Sequence, residues 1–405
     1  MSIRERSFHS IQNASHQKLF RLKNHLAKRP TTLLGIGPVS PYCVDVGIEL
    51  ANAHRIPLIF IASRRQIDAD CFGGGYVNRW TTEEFCRYVK SKDTNNQVLL
   101  ARDHGGPWQS EYETRGNFTL DQALASAKTS YQVDIASGMD ILHLDPGHDE
   151  KGKATVSFPD YIDRTKELLV FCHKQAEAYG KEIAIEIGTE EGLIGAAHPE
   201  ETEEFLQTIV AFCEKESLPL PNFLVVQTGT KVMEMRNVGP LTSLIKKTTG
   251  KYIPPSLSRL VKLCNIHGLL IKEHNADYLG EETLRWHPSA GIHVANVAPE
   301  FGVVETTAFL NLLKQTGLQH LHEKTLSLSF QSQKWKKWMV EDTQASDFER
   351  ALIAGHYIFS TPEFLEIKKE ATARCQALQI NLEQVLKDAI RTSMMRYIRN
   401  FGLIS

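Results

Sequence analysis

The chain has 405 residues, with 46 Lys and Arg against 48 Asp and Glu and a formal charge of −2. At 42% hydrophobic and 23% charged it has an ordinary globular composition, long enough for one large domain and an appendage. Without a block of like charge it is not built for nucleic acid or an acidic membrane, and its seven scattered cysteines, with no CxxC pair, read as reduced, mostly buried thiols of a cytoplasmic protein.

Residues 1–30 are basic and polar, a helical segment lacking the apolar core of a signal peptide. From residue 31 short apolar runs alternate with amphipathic stretches. The runs are TTLLGIGPV (31–39), PLIFIAS (57–63), QVLLARDH (97–104), DILHLDPG (140–147), EIAIEIG (182–188), FLVVQTG (223–229), LLIKEHN (269–275) and IHVANVAP (292–299). Eight repeats of strand and helix predict a (β/α)8 TIM barrel over residues 31–318, with a doubly wound open sheet as the alternative. The glycine fingerprint of a nucleotide-binding open sheet is missing, because GIGPVS after the first strand runs into proline. FGGGY (72–76) falls in a loop, read equally as flexible or as covering a ligand. Residues 319–405 carry helical patterns only and predict a C-terminal helical extension, in which Trp335, Trp338 and the run Tyr357-Ile358-Phe359 read as packing anchors. No run approaches a membrane span.

The active site of such a barrel lies at the C-terminal ends of its strands. Here strand three ends in Asp103 and His104, and strand four in His143 and Asp145, with His148 and Asp149 beyond. Strand five supplies Glu186 and Glu190, and strand six Gln227, Thr228 and Lys231. Strand seven ends in Glu273, His274, Asn275 and Asp277, and strand eight carries Asn296 and Glu300. Two histidines on different strands and a carboxylate on a third suit a divalent metal with open positions, which would polarise a carbonyl or hydroxyl. His104 and His274, with Glu186, are the expected ligands. His143, flanked by leucines, is either a core imidazole or a ligand, and Asp145 either caps a turn or binds a substrate hydroxyl. Lys231 and Arg236 either grip a phosphate or are surface cations. Gly35 and Gly37 either admit a ligand to the backbone or serve a turn.

The ordered series VLLARDHGGPWQ, ILHLD, IGTE, VVQTG, EHNADY and VANVAPEF resembles the tagatose-bisphosphate aldolase accessory subunit family (GatZ/KbaZ-like). In that family a strand ending GGDHLGP precedes IHLD, IGTE, VVQPG and EAHSTDY. The likeness spans roughly residues 31 to 315. The wider relatives are class II, zinc-dependent ketose-bisphosphate aldolases, barrels that cleave a ketose phosphate through a metal-stabilised enediolate. The resemblance assigns proton transfer to Asp103 and metal binding to His104 and His274, and it matches Asn296 to the segment that holds the dihydroxyacetone part of the substrate. There are departures. A further metal-binding histidine of active class II aldolases is replaced in the run Gln227-Thr228-Gly229-Thr230-Lys231, Asn275 replaces a glycine of the phosphate nest, and Arg102 replaces a glycine before the Asp-His pair.

These readings lead to a metal-dependent aldolase-like enzyme, a retro-aldol lyase or C4-epimerase of a ketose phosphate or related sugar. Asp103 and Glu186 are its expected catalytic groups, zinc its expected metal, and Asp145, Gln227, Lys231, Asn275 and Asn296 the expected substrate contacts. The alternative is a non-catalytic subunit that stabilises a class II tagatose-bisphosphate aldolase. The expected partner is a class II catalytic subunit or a second copy of this chain.

Overall fold

The computed structural model describes residues 14–151, 156–189, 198–247 and 253–404. Ten strands occur among them: β1 (Leu33–Ile36), β2 (Leu58–Ser63), β3 (Val98–Gly105), β4 (Ile141–Leu144), β5 (Ala184–Gly188), β6 (Phe223–Val226), β7 (Val232–Met233), β8 (Arg236–Asn237), β9 (Leu270–Glu273) and β10 (Val294–Val297). Eight close into a parallel barrel in the order β1-β10-β9-β6-β5-β4-β3-β2, and β7 and β8 form a small antiparallel hairpin outside it. Each of the eight apolar runs became one barrel strand. Parallel strands covered by helices are buried on both faces, so they read as continuous apolar runs rather than alternating ones.

The helices form where the sequence caps them. Thr81 accepts from the Glu84 N–H while the Glu84 carboxylate accepts from the Thr81 N–H, a reciprocal pair that starts the helix Thr82–Lys92. Thr119 and Gln122 do the same for Leu120–Ser137. One core cluster holds the barrel strands and the inner faces of their helices. A second cluster packs Phe309, Leu313, Phe364 and Ile367, joining the helix Pro299–Gln315 to the C-terminal helices. No helix of the described residues is long and apolar enough to cross a membrane.

Beyond residue 331 the structure departs from the helical pattern. The stretch QKWKKWMVEDT is an irregular strap with one short turn at Lys336–Trp338. Helices resume at Asp347–Ala354, Pro362–Ala377 and Leu382–Asn400. The last of these returns to the barrel and packs on the helices Pro41–His54 and Pro299–Gln315.

The FGGGY loop is exposed at Gly73 but close-packed at Gly75. A side chain at Gly75 would meet the Gln66 carbonyl oxygen at 2.0 Å, so the close packing of backbone on backbone requires glycine there. Its effect is to fix Tyr76 at the barrel rim.

Candidate metal centre at the barrel mouth

A strand's side chains alternate between faces, so Arg102 and Asp103 must part company. Arg102 points out of the barrel and is fully buried, with Nε and Nη2 2.8 and 2.7 Å from the two oxygens of Asp134. Asp103 points in. By the same alternation His104 should follow Arg102 outward, yet its ring lies at the mouth beside Asp103. The β3–β4 register slips between Arg102 and Gly105, and His104 has φ 44°, in the left-handed region. This bulge turns two consecutive side chains into one site, the use to which bulges beside active sites are often put.

Asp103 lies at the centre. Its Oδ1 is 3.4 Å from His274 Nε2, 3.7 Å from Lys272 Nζ and 3.5 Å from Asn296 Nδ2. Its Oδ2 is 3.8 Å from His104 Nε2. Burial opposes its ionisation, but His274, His104 and Lys272 together hold its carboxyl well below the usual carboxylate range. Asp103 is therefore an anion at any physiological pH.

Asp145 aims His104. Its Oδ2 is 2.9 Å from His104 Nδ1 and accepts from the Gln109 side-chain amide at the same distance. Against the cost of burial, the His104 hydrogen bond and the neighbouring imidazoles bring the Asp145 carboxyl down to about 2. An ionised Asp145 accepts a hydrogen bond from the Nδ1–H of His104, which leaves the Nε2 lone pair directed toward Asp103 and His274. A carboxylate behind an imidazole in this manner is a common support for a metal ligand.

His143, for which two readings stood open, is hydrogen-bonded as a structural imidazole would be, and it also belongs to two groups whose donor atoms lie within metal-sharing distance, one with His104 and Asp145 and one with Asp103 and Glu186. Its Nδ1 accepts from the His104 N–H at 3.2 Å, and its Nε2 donates to the Gly188 carbonyl at 2.9 Å. Both nitrogens are occupied, and burial pushes the ring toward its neutral form. It stabilises the bulge that carries His104.

Glu186, placed by the sequence reading among the metal ligands and catalytic groups, is fully buried on β5. Both its oxygens lie against Lys272 Nζ, at 3.0 and 2.8 Å. The carboxylate standing between the His104 and His274 imidazoles is Asp103. Lys272 itself escaped the sequence reading. It lies one strand period below His274 on β9, entirely buried, and bridges Glu186 to Asp103. Glu273, between them in sequence, faces outward and binds His287 Nε2 at 2.7 Å and the Thr228 hydroxyl.

The remaining expected contacts fall around one cavity of about 810 Å3, lined by Asp103, His104, Asp145, His274 and Asn296 as well as Gln227, Lys231 and Asn275. That volume suits a small metabolite rather than a macromolecule. Gln227 accepts from the Gly229 N–H at 3.1 Å. Asn275 adopts φ 67°, and its carbonyl accepts from the Asn237 amide at 2.8 Å. Asn296 lies over Gly35, where an added Cβ would meet its Oδ1 at 2.3 Å, so Gly35 makes room for a neighbouring side chain. Gly37 likewise clears Ala298. Arg236 is bound to Glu234 at 3.1 Å. Glu190 lies outside the described residues.

The donors fit a metal. His104, His274 and Asp103 offer two nitrogens and a carboxylate whose ligand atoms all lie within 4.8 Å of one another. Donors bound at 2.0–2.2 Å around one tetrahedral ion stand roughly 3.3–3.6 Å apart; His274 Nε2 is 3.4 Å from Asp103 Oδ1 and His104 Nε2 is 3.8 Å from the other oxygen. Open cavity on the remaining side leaves room for substrate.

No known protein-family profile matches the chain. Solved structures share its fold at low identity. The probable tagatose 6 phosphate kinase of Sinorhizobium meliloti 1021 superposes with a TM-score of 0.73 at 17% identity, covering 91% of this chain and all of that one. The fructose-bisphosphate aldolase of Campylobacter jejuni superposes with a TM-score of 0.53 at 10% identity, over 97% of this chain and 96% of that one. What the chain shares with both is the fold.

Proposed function

We propose that the chain is a metal-dependent sugar-phosphate enzyme of the tagatose-bisphosphate aldolase-related kind, acting by retro-aldol chemistry as a lyase or a C4-epimerase. The observation that carries this reading is the convergence of two oriented imidazoles and one ionised carboxylate at the floor of a metabolite-sized cavity. A divalent ion such as zinc, held by His104 and His274 with Asp103 adjoining, would supply polarisation of the substrate carbonyl.

The chain's own groups divide the remaining work. Asp103 accepts the proton of the C4 hydroxyl as the C3–C4 bond opens and its electron pair moves toward the C2 carbonyl. Lys272 beneath it and Asn296 beside it hold the carboxylate in place. Asp145 and Gln109 keep the His104 ring fixed. Gln227, Asn275 and Lys231 line the space for hydroxyls and phosphate. Protonation at C3 and release of both fragments makes a lyase. Rotation of the aldehyde and closure on its other face makes an epimerase.

The test is a divalent-metal titration of the purified chain, followed by a panel of ketose phosphates scored for cleavage and for epimerisation. One metal per chain and turnover are expected, both lost in His104→Ala and His274→Ala. Full turnover in a chelated protein, or in both variants, overturns the reading. The second reading, a non-catalytic stabilising subunit, is favoured by one observation: the run Gln227-Thr228-Gly229-Thr230-Lys231 after strand six has no histidine, where the resembled active class II aldolases carry one in the corresponding segment. Co-purification with a class II catalytic subunit, and no metal in the isolated chain, is the outcome that reading requires.

A further inference from the structure

The cavity wall is completed by the strap that follows residue 331, and the strap is bonded to the barrel rim. The Glu234 N–H in the β7–β8 turn donates to the Trp338 carbonyl at 2.7 Å, and the Thr343 hydroxyl donates to the Glu234 carboxylate at 2.6 Å. Trp338 Nε1 reaches the Tyr357 hydroxyl at 3.3 Å, and Tyr357 packs on Tyr76 with ring centroids 4.8 Å apart. Residues read from the sequence as packing anchors thus form part of the inner surface of the site.

This wall carries cations that form no ion pair among the described residues. Arg65, Lys231 and Lys337 all line the cavity. Among the described residues no hydrogen bond or ion pair engages the Arg65 guanidinium, although its Nε is buried. Lys337 rests only on aromatic faces, 4.7 Å from the Trp338 ring centroid and 5.4 Å from that of Tyr357. The Lys231 ammonium has no ion pair among the described residues. The acids of the same lining are otherwise employed: Glu111 holds Lys334 at 2.6 Å, Asp145 holds His104, and Asp277 accepts the N–H groups of Ala298 and Glu300. His356, 2% exposed, adds a buried imidazole whose Nδ1 has no partner among the described residues. Half-buried Arg65 and the exposed Lys231 and Lys337 thus line one concave, partly aromatic cavity with no ion pair of their own among the described residues, which suits an anion that arrives with the ligand.

Resting on the enzyme reading above, we propose that Arg65, Lys231 and Lys337 form the subsite for the phosphate monoester of the substrate, and that the strap supplies its specificity. The barrel alone would then hold the reacting carbons, and the strap would select which sugars present a phosphate at the right reach.

Inorganic phosphate is the probe. Isothermal titration of the full chain should show phosphate binding that weakens at least tenfold in Arg65→Met and in Lys337→Met. Arg65→Lys, which keeps the charge and loses the planar fork, should fall between. Acetate should bind far more weakly than phosphate. His104→Ala should bind phosphate as the parent does, whereas both rim variants should bind divalent metal as the parent does. Equal phosphate affinity in parent and rim variants, no phosphate binding at all, acetate bound as tightly, or loss of phosphate in His104→Ala would each overturn the subsite. Metal binding without phosphate binding defeats the subsite and leaves the enzyme reading standing. Phosphate binding without metal binding does the reverse.

Discussion

Two clusters of buried charge lie back to back across β3. The outer one joins Arg102 to Asp134 and Arg64 to Asp68 and Glu113 in the layer between strands and helices. The inner one joins Asp103, His104, His274, Lys272 and Glu186 inside the barrel. Both are buried and both are rich in charge, so neither property marks the site. In the outer cluster each guanidinium is saturated: Arg102 holds both Asp134 oxygens and the carbonyls of Ala62 and Ile67. In the inner one Asp103 stands 3.4 and 3.8 Å from the His274 and His104 imidazoles, too far for short hydrogen bonds and close to the spacing of donors sharing an ion, and the cluster opens on a cavity. Spacing and access separate a site from a staple.

The sharpest way to break this comparison is to damage the outer cluster. Arg102→Met strands Asp134 in the dry layer and should cost about 3–5 kcal/mol of stability in urea unfolding. An unchanged unfolding midpoint would show that the outer cluster is not a staple. Lys272→Met tests the boundary between the two, since it strands Glu186 and should destabilise comparably, while the double variant with Glu186→Gln should recover most of the loss. In contrast, His104→Ala should abolish tight metal binding yet shift stability by no more than about 1 kcal/mol, because the side chain is partly exposed at an open cavity. Asp145→Asn should weaken metal affinity by about 10–100-fold, since the ring would lose the carboxylate that fixes it; a zinc competition titration reads this directly.

The smallest effect concerns His293, outside both clusters. Its Nδ1 accepts from the Ile271 N–H at 3.0 Å, and burial lowers the imidazole to about 4. The folded state therefore resists a proton that the unfolded chain accepts near the ordinary value of 6.5. Stability from this residue is present above about 6.5 and is lost as pH falls toward about 4. A pH series of unfolding midpoints should show that decline blunted in His293→Asn.

The barrel was legible because its strands are short, apolar and bounded by Gly, Pro and polar residues, and because eight of them alternate with helices. The candidate cluster was legible where polar residues are concentrated at strand ends, as in Asp103-His104 and His274, which the structure brings together. Lys272 was not, because LLIKEHN reads as a strand leaving the core and the partner Glu186 is 86 residues away. The role of His143 rests on two backbone atoms, the His104 N–H and the Gly188 carbonyl, which no side-chain pattern announces. The strap was misread as helix because Trp and Lys in QKWKKWM are compatible with an amphipathic face. Its hydrogen bonds to Glu234, about a hundred positions earlier, override that local preference.

The helix Leu382–Asn400 and the residues after it bind the far end of the sequence. The Thr32 N–H donates to the Phe401 carbonyl at 3.1 Å, Arg29 reaches the Leu403 carbonyl at 2.9 Å, and Lys387 pairs with Asp45 at 3.0 Å. This clasp sets a timetable for biosynthesis. The eighth barrel strand has been made by residue 297, but the strap, the cavity wall and the clasp still await translation. At about 5–20 residues per second, the seventy residues from 334 to 403 occupy a ribosome for roughly 4–14 s. During that interval the eight strands precede their cover: the cavity-lining residues up to Tyr357 emerge first, and the clasp at Lys387, Phe401 and Leu403 that ties them to the first strand and helix of the barrel emerges after them.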